Sequence, residues 1–243
     1  MLHSIGVDGL LAGLEKLTHS CSSFGVWGSR TKDKDLWVGR NLDWASNTGL
    51  SKNKLLTVVH PPKSEGTKYA HVNVAYAGLW GALTGMSEAG IVGTEIGLDT
   101  RAETWLGLAW VMRLRYIFEN AEDLPRAMTL WDYTNNTMGI MHGIGSSATG
   151  KYVIIETNSL RSAYYLDNDV RQVNAHMNGT HYGYPLKDAV WRTGHAFDPE
   201  IMRYAFHPYP VGDVEEGSMT RYMLTYNAFK EYEAQAPNYI DAL

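Results

Sequence analysis

Residues 21–28 read Cys-Ser-Ser-Phe-Gly-Val-Trp-Gly, and residues 36–44 read Leu-Trp-Val-Gly-Arg-Asn-Leu-Asp-Trp. The segment between them, Ser-Arg-Thr-Lys-Asp-Lys-Asp, contains no apolar residue. Two apolar runs joined by a polar turn predict a β-hairpin. A turn centred near Lys32 pairs Cys21 with Asp43, so the hairpin brings a thiol, a carboxylate and the guanidinium of Arg40 to its open end.

Cys21 is the only cysteine of the chain. A thiolate is a nucleophile, and a nearby cation such as Arg40 lowers a thiol's pKa because it favours the charged form. Asp43 would orient Arg40 or hydrogen-bond an amine. Strand alternation opposes this arrangement, because residues 40 and 43 should face opposite sides unless a bulge or strand end intervenes. The alternative for Cys21 is the usual one for a free cysteine, a small buried hydrophobic residue.

The cysteine, the short strand, the turn and Gly-Arg-Asn-Leu-Asp-Trp at 39–44 resemble the N-terminal nucleophile cysteine hydrolases. That superfamily includes the bile-salt (choloylglycine) hydrolases, penicillin V acylases, acid ceramidases, penicillin acyltransferase-like proteins and phospholipase B-like proteins. Residues 78–92, Gly-Leu-Trp-Gly-Ala-Leu-Thr-Gly-Met-Ser-Glu-Ala-Gly-Ile-Val, and residues 189–199, Ala-Val-Trp-Arg-Thr-Gly-His-Ala-Phe-Asp-Pro, are also similar to it. The resemblance therefore extends over most of the chain.

The resemblance implies an α+β protein, a four-layer αββα sandwich of two antiparallel sheets flanked by helices. It divides the chain into a leader or propeptide, residues 1–20, and a hydrolase domain, residues 21–243. Such proteins cut themselves immediately before the cysteine, here between Ser20 and Cys21, and use the freed α-amino group as the general base. An α-amine with a pKa near 7.7–8.0 suits that task at neutral pH. Alternatively residues 1–20 stay attached as a first helix, and this base does not exist.

The resemblance also implies an asparagine at a strand end whose side-chain NH2 holds the oxyanion. Asn174 and Asn178 are the candidates, and Asn174 is favoured because it ends the predicted strand segment Val170–Val173. Arg192, in Trp-Arg-Thr-Gly-His, resembles a family arginine near the site. The residue before that histidine is usually asparagine in the family and is Gly194 here, so the segment's role stays open.

Four residues are predicted to bind substrate: Trp44, Trp80, Glu95 and Asn178. Trp44 and Trp80 lie in the matching stretches, and the aromatic supply of the chain suits an apolar acyl pocket. Glu95 stands where the bile-salt branch has an oxyanion-binding asparagine, yet a carboxylate donates no hydrogen bond unless protonated. Glu95 therefore shapes substrate choice or serves as a structural hydrogen-bond partner.

Composition indicates one globular domain. The 243 residues carry a formal net charge of -5 and are 44% hydrophobic, and no basic block appears, which opposes nucleic-acid binding. The chain has no apolar run of 18 residues, so stable membrane insertion is not expected. The first residues lack the basic region and continuous apolar core of a signal peptide, which leaves the compartment open. A homo-oligomer is compatible with these features.

Coarse patterning predicts antiparallel strands in succession from Leu55 to Ile96, a helix over Asp99–Phe118 and a second helix capped by Asp123. It further predicts a strand over Val170–Ala175 and helical character in the tail from residue 216 onward. His176, His181, His195 and His207 match no zinc motif, so no metal and no cofactor is predicted.

The sequence thus predicts an autoprocessing cysteine amidohydrolase or acyltransferase. It would act on the linear amide bond of a small-molecule acyl amide through an acyl-Cys21 thioester, with two-step covalent catalysis. One alternative is a phospholipase B-like lipid hydrolase. Another is a non-catalytic homologue with a binding or scaffold role.

Overall fold

The computed structural model of the chain describes residues 21–43, 49–63, 68–173, 175–177, 180–206 and 217–234. The strands in these ranges are β1 Cys21–Val26, β2 Trp37–Leu42, β3 Lys54–Val59, β4 His71–Tyr76, β5 Thr84–Ser87, β6 Ile91–Gly97, β7 Ile140–Ser146, β8 Lys151–Asn158, β9 Arg161–Tyr165, β10 His176–Met177, β11 Thr180–His181 and β12 Ala189–Arg192. The α-helices are α1 Trp110–Asn120, α2 Leu124–Tyr133, α3 Pro199–Met202 and α4 Ser218–Ala234.

The strands form two main antiparallel sheets. The large sheet has the order β3-β4-β5-β6-β7-β8-β9, so consecutive strands are neighbours, and the small sheet has the order β12-β1-β2. Strands β10 and β11 form a separate pair. The predicted succession of antiparallel strands between Leu55 and Ile96 is present as β3 to β6.

The sheets and helices are arranged in four layers. One face of the large sheet packs on α1 and α2 through a core that includes Ile144, Leu114 and Trp131. Its other face packs on the small sheet, and α4 covers the outer face of the small sheet, where Phe229 meets Phe24 edge to face. This αββα arrangement confirms the predicted fold class, in which each apolar sheet face is buried against another layer.

The hairpin of β1 and β2 is present with a register that differs from the prediction. Cys21 pairs with Leu42 rather than with Asp43, and Ser23 pairs with Arg40. The connection is not a symmetric turn, because it contains a short 3-10 turn at residues 28–30 and a hydrogen bond from the Gly28 amide to the Lys34 carbonyl. A one-residue change of register reverses the face of every side chain on a strand. The observed register therefore puts Arg40 on the same face as Cys21.

Two predicted elements are wrong. The helix starts at Trp110 and not at Asp99, because backbone groups before it bond to distant segments: the Arg101 amide donates to the Tyr204 carbonyl and the Thr104 amide to the Thr137 carbonyl. Such backbone groups are not available for a helical ladder. The predicted strand over Val170–Ala175 contains instead a 3-10 helix, Val170–Gln172. The Asp169 side chain caps it by accepting from the Arg171 amide, a local bond that competes with strand pairing.

The second predicted helix is confirmed as α2. The Asp123 side chain accepts a hydrogen bond from the Arg126 amide at 2.8 Å, and Pro125 lies in the first turn. The predicted helical tail is present as α4 from Ser218. Among the described residues no helix is both long and apolar enough to cross a bilayer.

Candidate active site

Cys21 is the first residue of β1, and its side chain is 3% exposed. Arg40 lies on the neighbouring strand β2, and its Nη2 is 4.0 Å from the Cys21 Sγ. The two side chains share a face because Arg40 pairs with Ser23, two residues after Cys21 on the same strand. The predicted proximity of the thiol and the guanidinium is therefore present in the structure, and it depends on the observed register.

Arg40 is held by Glu95. Its Nε donates to the Glu95 backbone carbonyl at 2.8 Å, and its Nη2 forms an ion pair with the Glu95 carboxylate. Both side chains are 8% exposed. Strand β5 pairs with β6 only at Val92 and Gly93, so the edge of β6 is open at Glu95 and its carbonyl accepts from Arg40. Glu95 is thus a structural partner of Arg40, whereas its predicted contact with substrate stays a prediction.

The pKa of the Cys21 thiol is raised by its surroundings. Burial and the negative charge of Glu95 raise the pKa of Cys21 to about 11, although Arg40 and hydrogen bonds from the backbone of Gly97 and Asp43 lower it. Arg40 therefore lowers the thiol pKa as expected, yet the net pKa is raised. The physical reason is that desolvation and Glu95 outweigh a cation whose charge is already paired.

Asp43 follows β2 directly and lies at the same end of the hairpin. Its Oδ1 accepts from the Asn41 amide group at 2.8 Å, and its backbone hydrogen-bonds Cys21. Asp43 also acts on Arg221 of α4: burial lowers the pKa of Arg221, while Asp43 and then Cys21 raise it. The charge of Arg221 therefore interacts with Asp43 and Cys21 at this end of the hairpin.

The sequence analysis did not identify Arg221 or Tyr76. Burial raises the pKa of Tyr76, which is further affected by Arg40, Glu95 and Cys21, so the end of β4 also borders the site. Arg221 reaches the site because α4 covers the small sheet, and an added Cβ at Gly194 would lie 3.7 Å from its Nη2. No motif connects these residues to Cys21 in the sequence, since only packing brings them together.

Arg192 occupies a different environment from Arg40. It is fully buried on β12, where its Nε donates to the Glu156 carboxylate at 2.6 Å and its Nη1 to the Gln172 side-chain oxygen at 2.9 Å. Its guanidinium lies 3.8 Å from the centroid of the Phe197 ring. These contacts describe a buried structural cation. The predicted catalytic role of Arg192 stays a prediction that the contacts do not support.

Trp80 is 70% exposed and lines a shallow pocket together with Thr57, Asn73 and Arg115. The lining of that pocket includes neither Cys21 nor Arg40, and the predicted contact of Trp80 with substrate stays a prediction. The other three predicted residues, Trp44, Asn174 and Asn178, lie outside the described residues.

His195 and His181 make structural contacts. His195 is buried with its Nδ1 2.6 Å from the Ser218 hydroxyl, and burial lowers the pKa of His195 to about 3. The His181 Nε2 lies 2.5 Å from the Val173 carbonyl oxygen. Within the ranges that the structure describes, no three His, Cys, Asp or Glu side chains come close enough to hold a metal ion; His207 is outside these ranges.

No protein-family model matches the chain, and no curated protein sequence matches it either. A solved structure of a mutant conjugated bile acid hydrolase from Clostridium perfringens matches over 91% of this chain and 75% of that chain, with a TM-score of 0.56 and 12% identity. The N-acylethanolamine-hydrolyzing acid amidase ortholog of Caenorhabditis elegans matches over 61% of this chain, with a TM-score of 0.47 and 15% identity. Penicillin V acylase from Agrobacterium tumefaciens matches over 62% of this chain, with a TM-score of 0.35 and 12% identity.

The chain spans 64% of the length of the acid amidase and 42% of the length of the penicillin V acylase, less than two thirds of each. The bile acid hydrolase is similar over most of this chain at low sequence identity, which shows a common fold. The chain therefore has the fold of the N-terminal nucleophile hydrolases, and the resemblance seen in the motifs is confirmed at the level of fold.

Proposed function

We propose that this protein is an autoprocessing cysteine hydrolase or acyltransferase that acts on linear amides through an acyl-Cys21 thioester. One observation carries the proposal: the only thiol of the chain lies on the first residue of β1 in this fold, 4.0 Å from the Arg40 guanidinium. The Asp43 backbone hydrogen-bonds the same sulfur, and Arg221 and Tyr76 interact with it electrostatically. A lone buried cysteine in a plain apolar core would not have charged groups of both signs around it.

Cleavage at Ser20-Cys21 explains how this thiol becomes reactive. While the bond is intact, the Cys21 nitrogen is an amide without basicity, and the thiol has a pKa of about 11. Cleavage creates an α-amine with an unperturbed pKa of about 7.7–8.0 on the same residue. In its protonated form that amine is a new cation beside the sulfur and lowers the thiol pKa; in its neutral form it is a general base.

The cleavage step uses the same sulfur as the later reaction but not the α-amine, which exists only after the bond is cut. The Cys21 Sγ attacks the carbonyl carbon of Ser20, the bond from that carbon to the Cys21 nitrogen breaks, and the nitrogen takes up a proton and leaves as the α-amine. Water then hydrolyses the resulting thioester and releases the carboxylate of Ser20 and the free thiol. Arg40 and Arg221 supply positive charge near the oxygen on which negative charge develops.

Turnover of a substrate follows two covalent steps. The thiolate attacks the amide carbonyl, the α-ammonium of Cys21 gives its proton to the leaving amine, and an acyl-Cys21 thioester forms. The neutral α-amine then removes a proton from water or from an acceptor amine, whose oxygen or nitrogen attacks the acyl carbon. The bond from that carbon to the Cys21 sulfur breaks, which releases the acyl product and the thiolate and leaves the α-amine protonated again. Asn174 is the favoured oxyanion donor with Asn178 as the alternative, and losing such a donor raises the barrier by about 3 kcal/mol.

The substrate is proposed to be a small acyl amide with an apolar acyl group. Tyr76 and Leu42 border the sulfur, and both pack against the neighbouring apolar cluster of Trp110, Met138 and Ile140. The structural neighbour from Clostridium perfringens is named as a hydrolase of conjugated bile acids, which is consistent with a bulky apolar acyl group.

Intact-mass measurement tests the processing step. We expect the wild-type chain to lose residues 1–20, whereas Cys21→Ala keeps them, since the variant lacks the attacking sulfur. Cys21→Ser is the matched control, because a hydroxyl is a weaker nucleophile in the same position and should cleave more slowly or not at all. Cleavage of all three chains at this bond, or of none of them, contradicts the proposal.

Trapping the acyl-enzyme separates amide chemistry from lipid-ester chemistry. Processed protein is incubated with acyl amides or with phospholipids and quenched in acid, and its intact mass is measured. We expect a mass increase at Cys21 with acyl amides. Acylation by phospholipids alone would assign the protein to lipid hydrolysis, and cleaved protein that accepts no acyl group from either panel would support a binding role.

A further inference from the structure

A row of buried polar side chains crosses the inner face of the small sheet next to Cys21. Ser23 pairs with Arg40 on β2 and with Arg192 on β12, so the three residues stand side by side across the sheet. Cys21 is two residues before Ser23 and shares its face. The side chains of this row therefore lie next to Cys21 along β1 and face the large sheet.

The centre of the row is a cluster of three hydroxyls, Ser23, Thr94 and Tyr152, which we call the hydroxyl cluster. The Ser23 Oγ lies 2.7 Å from the Thr94 Oγ1 and 2.6 Å from the Tyr152 hydroxyl oxygen, and the last two are 2.6 Å apart. All three residues are buried. Because Ser23 is on β1 while Thr94 and Tyr152 are on β6 and β8, the cluster joins the two sheets.

Two glycines, Gly25 and Gly143, leave space for the Tyr152 side chain. A Cβ added at Gly25 would lie 2.4 Å from the Tyr152 ring, and one added at Gly143 would lie 1.5 Å from its hydroxyl oxygen. Glycine is thus required at both positions by close approach rather than by backbone conformation. A phenylalanine would fill the same slot, and a buried hydroxyl without a partner is unfavourable, so packing alone gives no reason for the hydroxyl.

The ends of the row are ion pairs with the same two strands of the large sheet. Arg40 binds Glu95 on β6, and Arg192 binds Glu156 on β8. Glu95 directly follows Thr94 of the hydroxyl cluster. A shift of Thr94 relative to Ser23 would therefore move the partner of Arg40 and, with it, the guanidinium beside the sulfur.

We propose that the hydroxyl cluster of Ser23, Thr94 and Tyr152 is a positioning element that sets the Cys21 sulfur against the Arg40–Glu95 pair. This inference rests on the proposed function, because it concerns the nucleophile assigned there. The three hydroxyls hold β1 at a defined distance from β6 and β8 and act on the reaction only through Cys21 and Arg40. A displacement of about 1 Å of a reacting group can reduce a rate by about a hundredfold.

The test uses substitutions that remove a hydroxyl and keep the volume. Tyr152→Phe and Thr94→Val lack one hydroxyl each, and Thr94→Ser restores the one that Thr94→Val removes. Tyr182→Phe is the matched control, because Tyr182 is a buried tyrosine whose ring packs on His195 and Phe197 at another place in the core. Cleavage at Ser20-Cys21 is followed by intact mass in freshly synthesised chain, and folding is checked by urea unfolding.

We expect Tyr152→Phe and Thr94→Val to slow cleavage by about tenfold to a hundredfold, and Thr94→Ser and Tyr182→Phe to stay within about threefold of wild type. A second readout is the pH profile of Cys21 alkylation by iodoacetamide, read by mass on uncleaved chain. The apparent pKa of Cys21 should differ from the wild-type value in Tyr152→Phe and Thr94→Val and should equal it in Thr94→Ser.

Two results would overturn the inference. One is a loss of stability in Tyr152→Phe and Thr94→Val with unchanged cleavage rate and unchanged alkylation profile, which would make the cluster structural only. The other is equal slowing in Tyr182→Phe. If Tyr152→Phe does not fold, the comparison of Thr94→Val with Thr94→Ser decides. If wild-type protein is never cleaved, the proposed function fails, while the alkylation profiles still test the positioning.

Discussion

Among single residues, Cys21 has a pKa that results from opposing contributions of burial and neighbouring charges. Burial raises the pKa of Cys21 most, the negative charge of Glu95 raises it further, and the positive charge of Arg40 lowers it. Arg40 is less effective than its distance suggests because its guanidinium is shared with the carboxylate of Glu95. The sequence identifies the sulfur and the cation, whereas the net direction of the shift requires the burial of each group.

Substitution of Glu95 tests this balance. Glu95→Gln removes the negative charge and leaves the charge of Arg40 unpaired, so we expect the pKa of Cys21 to fall from about 11. The thiolate fraction at pH 8, and the rate of alkylation by iodoacetamide, rise about tenfold for each unit of that fall. Arg40→Met removes the cation, so the pKa of Cys21 should rise and the alkylation rate should fall.

The measurement is the alkylation rate of the uncleaved chain, separated from cleaved chain by intact mass. Urea unfolding of the same samples controls for exposure of Cys21 by partial unfolding. Equal rates in wild type and Glu95→Gln, with both proteins folded, would contradict the electrostatic account of the thiol.

At the scale of the element, α4 provides both a layer of the fold and a charge of the site. Its Tyr222 stacks on Trp191, with ring centroids 4.7 Å apart, and the Trp191 Nε1 donates to the Tyr222 carbonyl at 3.1 Å. Arg221, the preceding residue, interacts electrostatically with Asp43 and Cys21. The apolar face that holds the helix on the small sheet therefore also places the cation.

Truncation of Phe229 tests the docking of this helix. Phe229 is 6% exposed and packs edge to face on Phe24 and Trp191. Phe229→Ala should lower the free energy of unfolding by about 3–5 kcal/mol, because it removes buried surface and leaves a cavity. Leu224→Ala is the control on the same helix: Leu224 is 62% exposed, so its loss should change that free energy by no more than about 0.5 kcal/mol.

Urea unfolding followed by tryptophan fluorescence gives both free energies. Equal effects of the two substitutions would mean that α4 is not held on the small sheet through Phe229. Cleavage at Ser20-Cys21 can also be compared in buffer without urea, where the variant is folded. Slower cleavage in Phe229→Ala would connect the docking of α4 with the candidate site.

At the scale of the whole molecule, buried neutral histidines connect stability with pH. His142 is fully buried between Trp110 and Trp131, and burial lowers its pKa well below the ordinary value. Burial likewise lowers the pKa of His195 to about 3. The unfolded chain binds protons on these rings below about pH 6.5, whereas the folded chain does not. Acid therefore favours the unfolded chain.

His195→Gln isolates one of these groups. Since the pKa of His195 is lowered on folding, its contribution is complete above about pH 6.5 and is lost as the pH falls towards 3, with a slope of about 1.4 kcal/mol per pH unit. The variant should be less stable at pH 7 through lost packing, and its stability should decline less between pH 7 and pH 4.5.

The difference between the two slopes is the quantity to measure, by urea unfolding at several pH values. Glu95 and Glu156, whose pKa values burial raises, change stability in the opposite direction in both proteins and cancel in this difference. Parallel slopes for wild type and His195→Gln would show that His195 takes up a proton in the folded state.

The fold class, the β1–β2 hairpin, the α2 cap at Asp123 and the candidate nucleophile could all be predicted from the sequence. Each depends on local information: alternation of apolar residues, a polar turn, a capping residue and a motif. The helix expected from Asp99 begins only at Trp110, because distant segments take up backbone groups of the residues before it. The strand expected from Val170 failed because the Asp169 side chain caps a 3-10 turn.

Local sequence pattern was enough to place the chain's one thiol, Cys21, in the same hairpin as Arg40 and Asp43. Only the tertiary structure decided that Cys21 pairs with Leu42, that Glu95 holds Arg40 and that Arg221 joins from α4. The physical reason is that local pattern sets secondary structure, whereas register, burial and charge pairing depend on contacts between segments far apart in the chain.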